Sequence, residues 1–524
     1  MPITDKVSDL GLVDVIAGHA RRTPHKTALH FAGDDMTYAQ LWQRIEVATA
    51  TLAGLGVKYG DRVAWLGLND PAQLVLLFAL ARLGAILLPL NYRLAPAEIA
   101  AILAHSDVSL VVADAVHKPV AHARRATHAE KTRCKVIDAA LLQVQVTGPA
   151  PARNDPSMHG APASPVLLVY TSGTTGKPKG ALHTQAGLIA NCVISGDAHA
   201  FTADDHVLTV LPLFHVGGLC IQTLPALYAG ATVTLHARFD AGAWLADVQA
   251  RRPSLSVLVP ATLRAVIEHP NFADTDLSSL RLLNAGSSII PASQIAAFHA
   301  RGVPVCQVYG ATESGPVSIY LKREDAMQRA GSAGRAGWGI DVRLVDSNAE
   351  TAAHSATGGD VAPGSVGELW IRAPNVMCRY WNDPANPAFQ HGWFRTGDLA
   401  RCDEHGFYWV VGRSKDMIIS GGENIYPAEI ENVLADCPLV LEVAVIGQPD
   451  EKWGEVAVAV VVKTSGALLD EAGVMKLFDG KLARFKHPRR VLFMDSLPKT
   501  ALGKVQKSEL ARVVAASAVI AANA

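Results

Sequence analysis

Between residues 60 and 115 the hydrophobic periodicity changes type four times. Arg62 to Leu68, RVAWLGL, reads as a short buried strand. Asn69-Asp70-Pro71 supplies a cap and a first-turn proline, and Ala72 to Leu83 has a helical pattern. Ala85 to Leu90, AILLPL, is a second apolar run. A helix opens at Ala95-Pro96 and continues through Ala104, and Ser109 to Ala113, SLVVA, is a third strand. Strands alternating with helices of this length require a parallel sheet covered on both faces, so the chain is α/β. The alternation resumes after residue 165. A chain of 524 residues is expected to hold more than one domain, and 49% apolar against 18% charged residues supplies a large core and excludes a disordered chain.

Charge and cysteine usage exclude further classes. Lys plus Arg number 47 and Asp plus Glu 48, so no global positive field exists for nucleic acid or an anionic membrane. The basic run His122 to Arg133 reads as a solvated face. The seven cysteines are scattered without a C-x-x-C pair, which argues against a disulfide framework or structural zinc and fits a reducing cytosol. Met1 to Leu10 carries Asp5 and Asp9 and lacks an apolar run, so no secretory signal is expected. The most apolar stretch, Leu74 to Leu90, is interrupted by Arg82 and falls short of the ~20 residues that span a bilayer. A cytoplasmic protein with no integral membrane segment is expected.

Val146 to Pro165, rich in Pro, Ala, Gly and Ser, reads as a surface connection between two α/β units. Asn348 to Gly364 reads as a long loop in a β-rich region. Near residue 412 the texture shifts to a compact segment with a helix from Pro427, strands over Val443 to Ile446 and Val456 to Val462, and a helix near Ala472 to Leu482. The expected division is 1–412, a hinge at 413–416, and a C-terminal domain at 417–524.

Chemistry concentrates first in Tyr170 to Gly180, YTSGTTGKPKG, which an apolar strand, Val166 to Val169, enters directly. Gly173, Gly176 and Gly180 allow close backbone approach. Ser172, Thr174 and Thr175 offer hydroxyls, and Lys177 and Lys179 offer charge, which together make a phosphate cradle. It is not a Walker A loop: Thr171 stands five residues before Gly176, and Pro178 follows Lys177. No G-x-S-x-G hydrolase string occurs, and the dinucleotide fingerprint fails near Gly54, where Tyr59 takes the third glycine's place.

The eleven-residue string resembles the phosphate loop of the AMP-forming adenylate synthetases, and six further segments match that family in order: LPLFHVGGL from Leu211, NAGSS from Asn284, QVYGATESG from Gln307, GWFRTGDL from Gly392, GRSKDMIISGGENIYPAEIE from Gly412, and PKTALGKVQK from Pro498. NAGSS departs from the commoner G-G-A-P. The resemblance covers residues ~25 to 510 and implies two N-terminal α/β subdomains, a β-barrel and a small mobile α+β C-terminal domain. It implies a two-step reaction: a carboxylate attacks the α-phosphate of MgATP, releasing pyrophosphate, and the thiol of coenzyme A then displaces AMP.

The same resemblance assigns roles. Thr171, Ser172, Gly173, Thr174, Thr175, Gly176 and Lys179 would hold phosphates. Gly286, Ser287, Ser288, Gln307, Tyr309, Gly310 and Ala311 would surround adenine, and Asp398 and Arg413 the ribose. Thr312 would reach the α-phosphate, and Glu313 with Thr175 would bind Mg²⁺. Lys504 would stabilise the charge that develops in adenylation, with His215 beside the substrate carboxylate. Lys415 would be the hinge. In a second pose of the C-terminal domain, Ser420, Gly421, Gly422 and Glu423 would line the coenzyme A tunnel. Lys504 also resembles a site that lysine acetyltransferases modify.

Candidate acyl-pocket positions are Phe214, Val216, Leu219, Val259, Ala261, Ala285, Gly286, Gly310, Ala311 and Val317. None is cationic, and an unpaired second carboxylate would be costly to bury. A neutral-tailed acid is expected, either medium-chain fatty or aryl and hydroxycinnamic. Alternatives remain: transfer to a separate carrier protein's phosphopantetheine, a luciferase-like oxygenation, or a degenerate adenylate sensor, which would have lost Lys504, Glu313 or Asp398. Oligomeric state is left open, a homodimer being one arrangement.

Overall fold

The computed structural model describes residues 11–119, 121, 134–143, 161–171, 178–286, 290–346, 359–384, 386–420, 423–450, 452–500 and 503–522. The basic run His122 to Arg133 and most of the Val146 to Pro165 connection lie outside them.

The βαβ reading of residues 60–115 is observed as strands Arg62–Leu66, Ile86–Leu90 and Leu110–Ala113 with helices Pro71–Leu83 and Pro96–Ser106. Asp70 caps the first helix through Oδ1, which accepts from the Ala72 amide at 2.7 Å, and Gly84 ends it in the left-handed region at φ 65°. The helix is buried nearly all round because it lies in a layer shared by two sheets. Val63, Leu87 and Leu167 of one sheet and Val207, Val233 and Leu282 of the other enter the same core.

Among the described residues, the first sheet has seven strands, in the order 379–380, 179–184, 165–171, 86–90, 62–66, 110–113 and 135–138. The second has nine among the described residues, in the order 335–336, 315–320, 305–311, 282–286, 255–258, 206–209, 232–235, 27–31 and 34–37. Five adjacent pairs in the second sheet are parallel, so several strands end on the same edge. A third, antiparallel sheet of five strands (341–345, 366–372, 389–390, 393–402, 408–413) stands where the β-barrel is expected.

The C-terminal domain has its own sheet, built on the long hairpin Val440–Asp450 and Gly454–Lys463, and its own core around Ile430, Val445, Val461 and Phe478. The helix expected over Ala472 to Leu482 is shorter, Glu471–Lys476. Phe478 turns into the core and Gly480 takes φ 72°, a conformation that ends helices. Among the described residues no helix is long and apolar enough to cross a membrane.

Candidate active site

Strands Leu255–Leu258, Leu282–Gly286 and Val305–Ala311 end side by side on one edge. Two positions there must be bare. A Cβ on Gly286 would lie 2.6 Å from the Val308 carbonyl oxygen, and one on Gly310 2.5 Å from that of Gly315. Tyr309 stands between them in sequence. Its hydroxyl donates to Oδ2 of Asp398 at 2.7 Å, while Nε of Arg413 donates to Oδ1 at 2.7 Å. Asp398 and Arg413 face each other across the third sheet's ladder. Burial, then the Asp398 charge, pushes the Tyr309 phenol well up, and Asp398 holds Arg413 above its usual range. Each carboxylate oxygen keeps one acceptor site, since a carboxylate offers about four.

A second carboxylate ties the two large sheets together. Oε1 of Glu313 accepts from the Thr171 hydroxyl at 3.1 Å and from the Tyr380 hydroxyl at 3.0 Å. The Lys179 ammonium lies 5.2 Å from the centre of the Tyr380 ring. Burial and the adjoining Glu313 raise the Tyr380 phenol far above its ordinary value. Thr312 is buried. The backbone of this residue faces His183 from the neighbouring sheet, whose buried ring is pushed down to about 4. The Ser314 hydroxyl accepts from the Ala311 amide at 2.9 Å and fixes the turn.

Lys504 reaches this cleft from the C-terminal domain. It sits in a tight turn in which the Thr500 amide donates to the Lys504 carbonyl at 2.7 Å and Gly503 takes φ 80°. The residue as a whole keeps solvent exposure. Loss of hydration, then the nearby Arg413, lowers its pKa, against the opposing pull of Asp398 and Asp416. His215 caps the turn Val216–Gly218, accepting at Nδ1 from the Gly217 amide at 3.0 Å. Its proton is therefore on Nε2. Burial, with Lys504 second, holds its pKa near 4, so the ring is a neutral donor. Lys415 is exposed on the turn Ser414–Asp416.

The remaining candidates divide. Ser172, Gly173, Thr174, Thr175, Gly176, Ser287, Ser288, Gly421 and Gly422 lie outside the described residues; Ser420 and Glu423 pair across a short hairpin. Gln307 has a buried amide nitrogen without a partner among the described residues. The acyl-pocket candidates are not all brought together. Val259 and Val317 share a cluster with Val257, Val308 and Ile221. Val216 and Leu219 belong to the layer between the sheets, and Phe214 packs edge-on against Tyr92 at 5.7 Å. Ala285 is a correction: it packs with Leu283 against Trp244 and Leu245 on the other face, because side chains alternate along a strand. Tyr380, His183 and Ile221 were missed; no motif marks the first two, and Ile221 sits in an irregular turn.

A cleft closed from one side by an α/β body and from the other by a small domain carrying a lysine defines a two-domain nucleotide-activating enzyme. The sequence matches the family described as AMP-binding enzyme over residues 16–381 and the AMP-binding enzyme C-terminal domain over residues 429–504. It is 47% identical over 515 residues to the indoleacetate–CoA ligase of Aromatoleum aromaticum, covering 96% of this chain and 98% of that one. It is 41% identical over 497 residues to a feruloyl-CoA synthase of Amycolatopsis sp, covering 94% and 97%. Among solved structures, the anthranilate CoA ligase AuaEII in complex with anthranoyl-AMP superimposes with a TM-score of 0.88 at 27% identity, over 99% of this chain and 100% of that one. The chain belongs to the AMP-binding enzyme family and is an acid–thiol ligase of the AMP-forming acyl-CoA synthetase type.

Proposed function

We propose that the protein converts an aryl or other neutral-tailed carboxylic acid to its coenzyme A thioester through an acyl-adenylate. The observation that carries this reading is the meeting of Lys504 with the Tyr309–Asp398–Arg413 cluster in one cleft. Asp398 takes the ribose hydroxyls on its remaining acceptor sites. Gln307 gives its unpartnered buried nitrogen to an adenine ring acceptor, and Tyr309 and Gly286 pack the base.

The acid's carboxylate attacks the α-phosphorus, the α–β bridging bond breaks, and pyrophosphate leaves. Negative charge grows on the phosphate oxygens, and Lys504 and Thr312 stabilise it. Lys504 is not a base here, because a carboxylate nucleophile has no proton to give. His215 donates Nε2–H to the acid's carboxylate and positions it. Glu313 suits Mg²⁺: both of its hydroxyl partners use Oε1, and Mg²⁺ commonly takes one or two protein carboxylates with substrate phosphates completing the set. Bound there, the ion would neutralise phosphate charge.

The second step uses the pose in which Ser420 to Glu423 approaches the adenylate and the coenzyme A thiol attacks the acyl carbon, expelling AMP. The hinge is Lys415, between domains 1–412 and 417–524. The relatives are named as coenzyme A ligases, which favours free coenzyme A over a carrier protein. Lys504 is accessible, so acetylation would remove its charge and stop the first step; mass spectrometry after treatment with a lysine acetyltransferase tests this. A panel of carboxylic acids, followed by pyrophosphate release and coenzyme A consumption, tests the whole reading. ATP cleavage to ADP, or no activation of any acid, would overturn it.

A further inference from the structure

Residues Leu219–Thr223 form a π-turn, an irregularity that re-aims side chains and recurs at functional sites. Ile221 of this turn packs with Val259, Val308 and Val317, where the proposed acyl pocket lies. The next residue, Gln222, is 1% exposed, a rare environment for an amide.

A chain of hydrogen bonds fixes its orientation. The Cys306 carbonyl can only accept, so Asn284 must present Nδ2 to it, at 3.1 Å. That leaves Oδ1 of Asn284 as acceptor, so Gln222 must present Nε2, at 2.5 Å. Oε1 of Gln222 is then a buried acceptor, and it has no partner among the described residues. An unmade bond of this kind costs about 1–3 kcal/mol, so a donor from elsewhere is expected. Asn284 lies on the sheet face that also carries Gly286, two residues on. Gly286 has no side chain, so that face leads from the amide pair to the strand's carboxyl end, where the site lies.

We propose that Gln222 determines acid specificity: Oε1 accepts a hydrogen bond from an N–H or O–H on the ring of an aromatic acid seated in the acyl pocket. This rests on the ligase reading above and goes further, naming the chemistry of the tail. His199 is the competing consideration. Its Nδ1 lies 2.8 Å from the Ser195 carbonyl, its Nε2 is also buried without a partner among the described residues, and its ring lies near Asn284. A sealed water donating to both acceptors would satisfy them without any substrate.

Three acids separate the two cases: indole-3-acetate, 1-methylindole-3-acetate and naphthalene-1-acetate. In the unaltered protein, kcat/KM for indole-3-acetate should exceed that for each donor-free analogue about 100-fold or more. Gln222→Met should reduce that ratio to within a few-fold, with the effect on the donor acid and its thermal midpoint checked beside the parent. Comparable rates for all three acids in the unaltered protein would mean a sealed water and would overturn the proposal. An unchanged ratio in Gln222→Met would overturn it as well. Failure to form a thioester from any acid in a broad panel would instead remove the ligase reading, so the two failures are distinguishable.

Discussion

The Tyr309 hydroxyl and the Asp398 carboxylate meet at 2.7 Å although 89 residues separate them, joining the second α/β sheet to the antiparallel sheet. Asp398 is almost fully buried, and Arg413 is its ionic partner. Removing one partner from such a cluster strands the other charge. Tyr309→Phe removes a hydrogen bond to a charged group, worth about 1.5–3 kcal/mol to the folded protein, and by freeing Asp398 to move should weaken nucleotide binding. Asp398→Ala should cost more, because Arg413 loses its partner. Equilibrium binding of a non-hydrolysable ATP analogue measures both; equal affinity in Tyr309→Phe and the parent would remove the cluster from the nucleotide site.

Lys504 belongs to one half-reaction only. Lys504→Ala should lower pyrophosphate release by at least about 100-fold, as for loss of a transition-state donor. Thioester formation from a supplied acyl-adenylate should be spared. Gly421→Leu should do the reverse by filling the proposed pantetheine tunnel. Single-turnover assays of each half-reaction check this, and loss of the same half in both variants would refute the two-pose assignment. Lys504 also has a depressed pKa, so adenylation should decline on the alkaline side below the pH at which an ordinary lysine titrates.

Motif order is what makes Asp398, Arg413, Glu313, Lys504 and His215 candidates in the sequence, because each sits at a fixed offset inside a string of several constrained residues. The βαβ alternation was legible for the same reason: a buried parallel sheet imposes its period locally. Tyr380 was not, since its role comes from a short strand pairing with 179–184, a contact that no local pattern encodes. Ala285 faces away from the expected pocket, because facing depends on strand register and on which layer each face meets. Gln222 reads as an ordinary polar residue until the π-turn and its pairing with Asn284 are seen.

Buried and half-buried neutral histidines weaken the fold towards acid pH. His183, His199, His206 and His215 are each pushed down to about 4, chiefly by burial. The unfolded chain titrates near 6.5 and therefore binds more protons between these values. Stability should be intact above about pH 6.5 and fall as pH drops towards 4, with up to about four protons taken up on unfolding. Thermal midpoints from pH 7 to 4 measure this, and a flat profile across that window would contradict the buried neutral assignment.

The observed pose is held by a bond between domains. Nη1 of Arg264, on the helix Pro260–Ile267, donates to the Leu441 carbonyl of the C-terminal domain at 2.7 Å. A Cβ on Gly503 would sit 3.7 Å from that of Ala261 on the same helix, so the contact lies beside the turn that carries Lys504. The Arg264–Glu268 ion pair, at 2.7 Å between neighbouring turns, orients the guanidinium, and as an exposed pair it adds little by itself. Arg264→Ala should therefore shift the balance away from the adenylation pose by about 1 kcal/mol. Pyrophosphate release should slow several-fold, while thioester formation from a supplied adenylate holds or rises. Arg264→Lys should recover part of the loss, since an ammonium can still donate to the carbonyl without matching the guanidinium's fixed geometry. Equal rates in both half-reactions for Arg264→Ala and the parent would show that the contact does not govern which pose the C-terminal domain adopts.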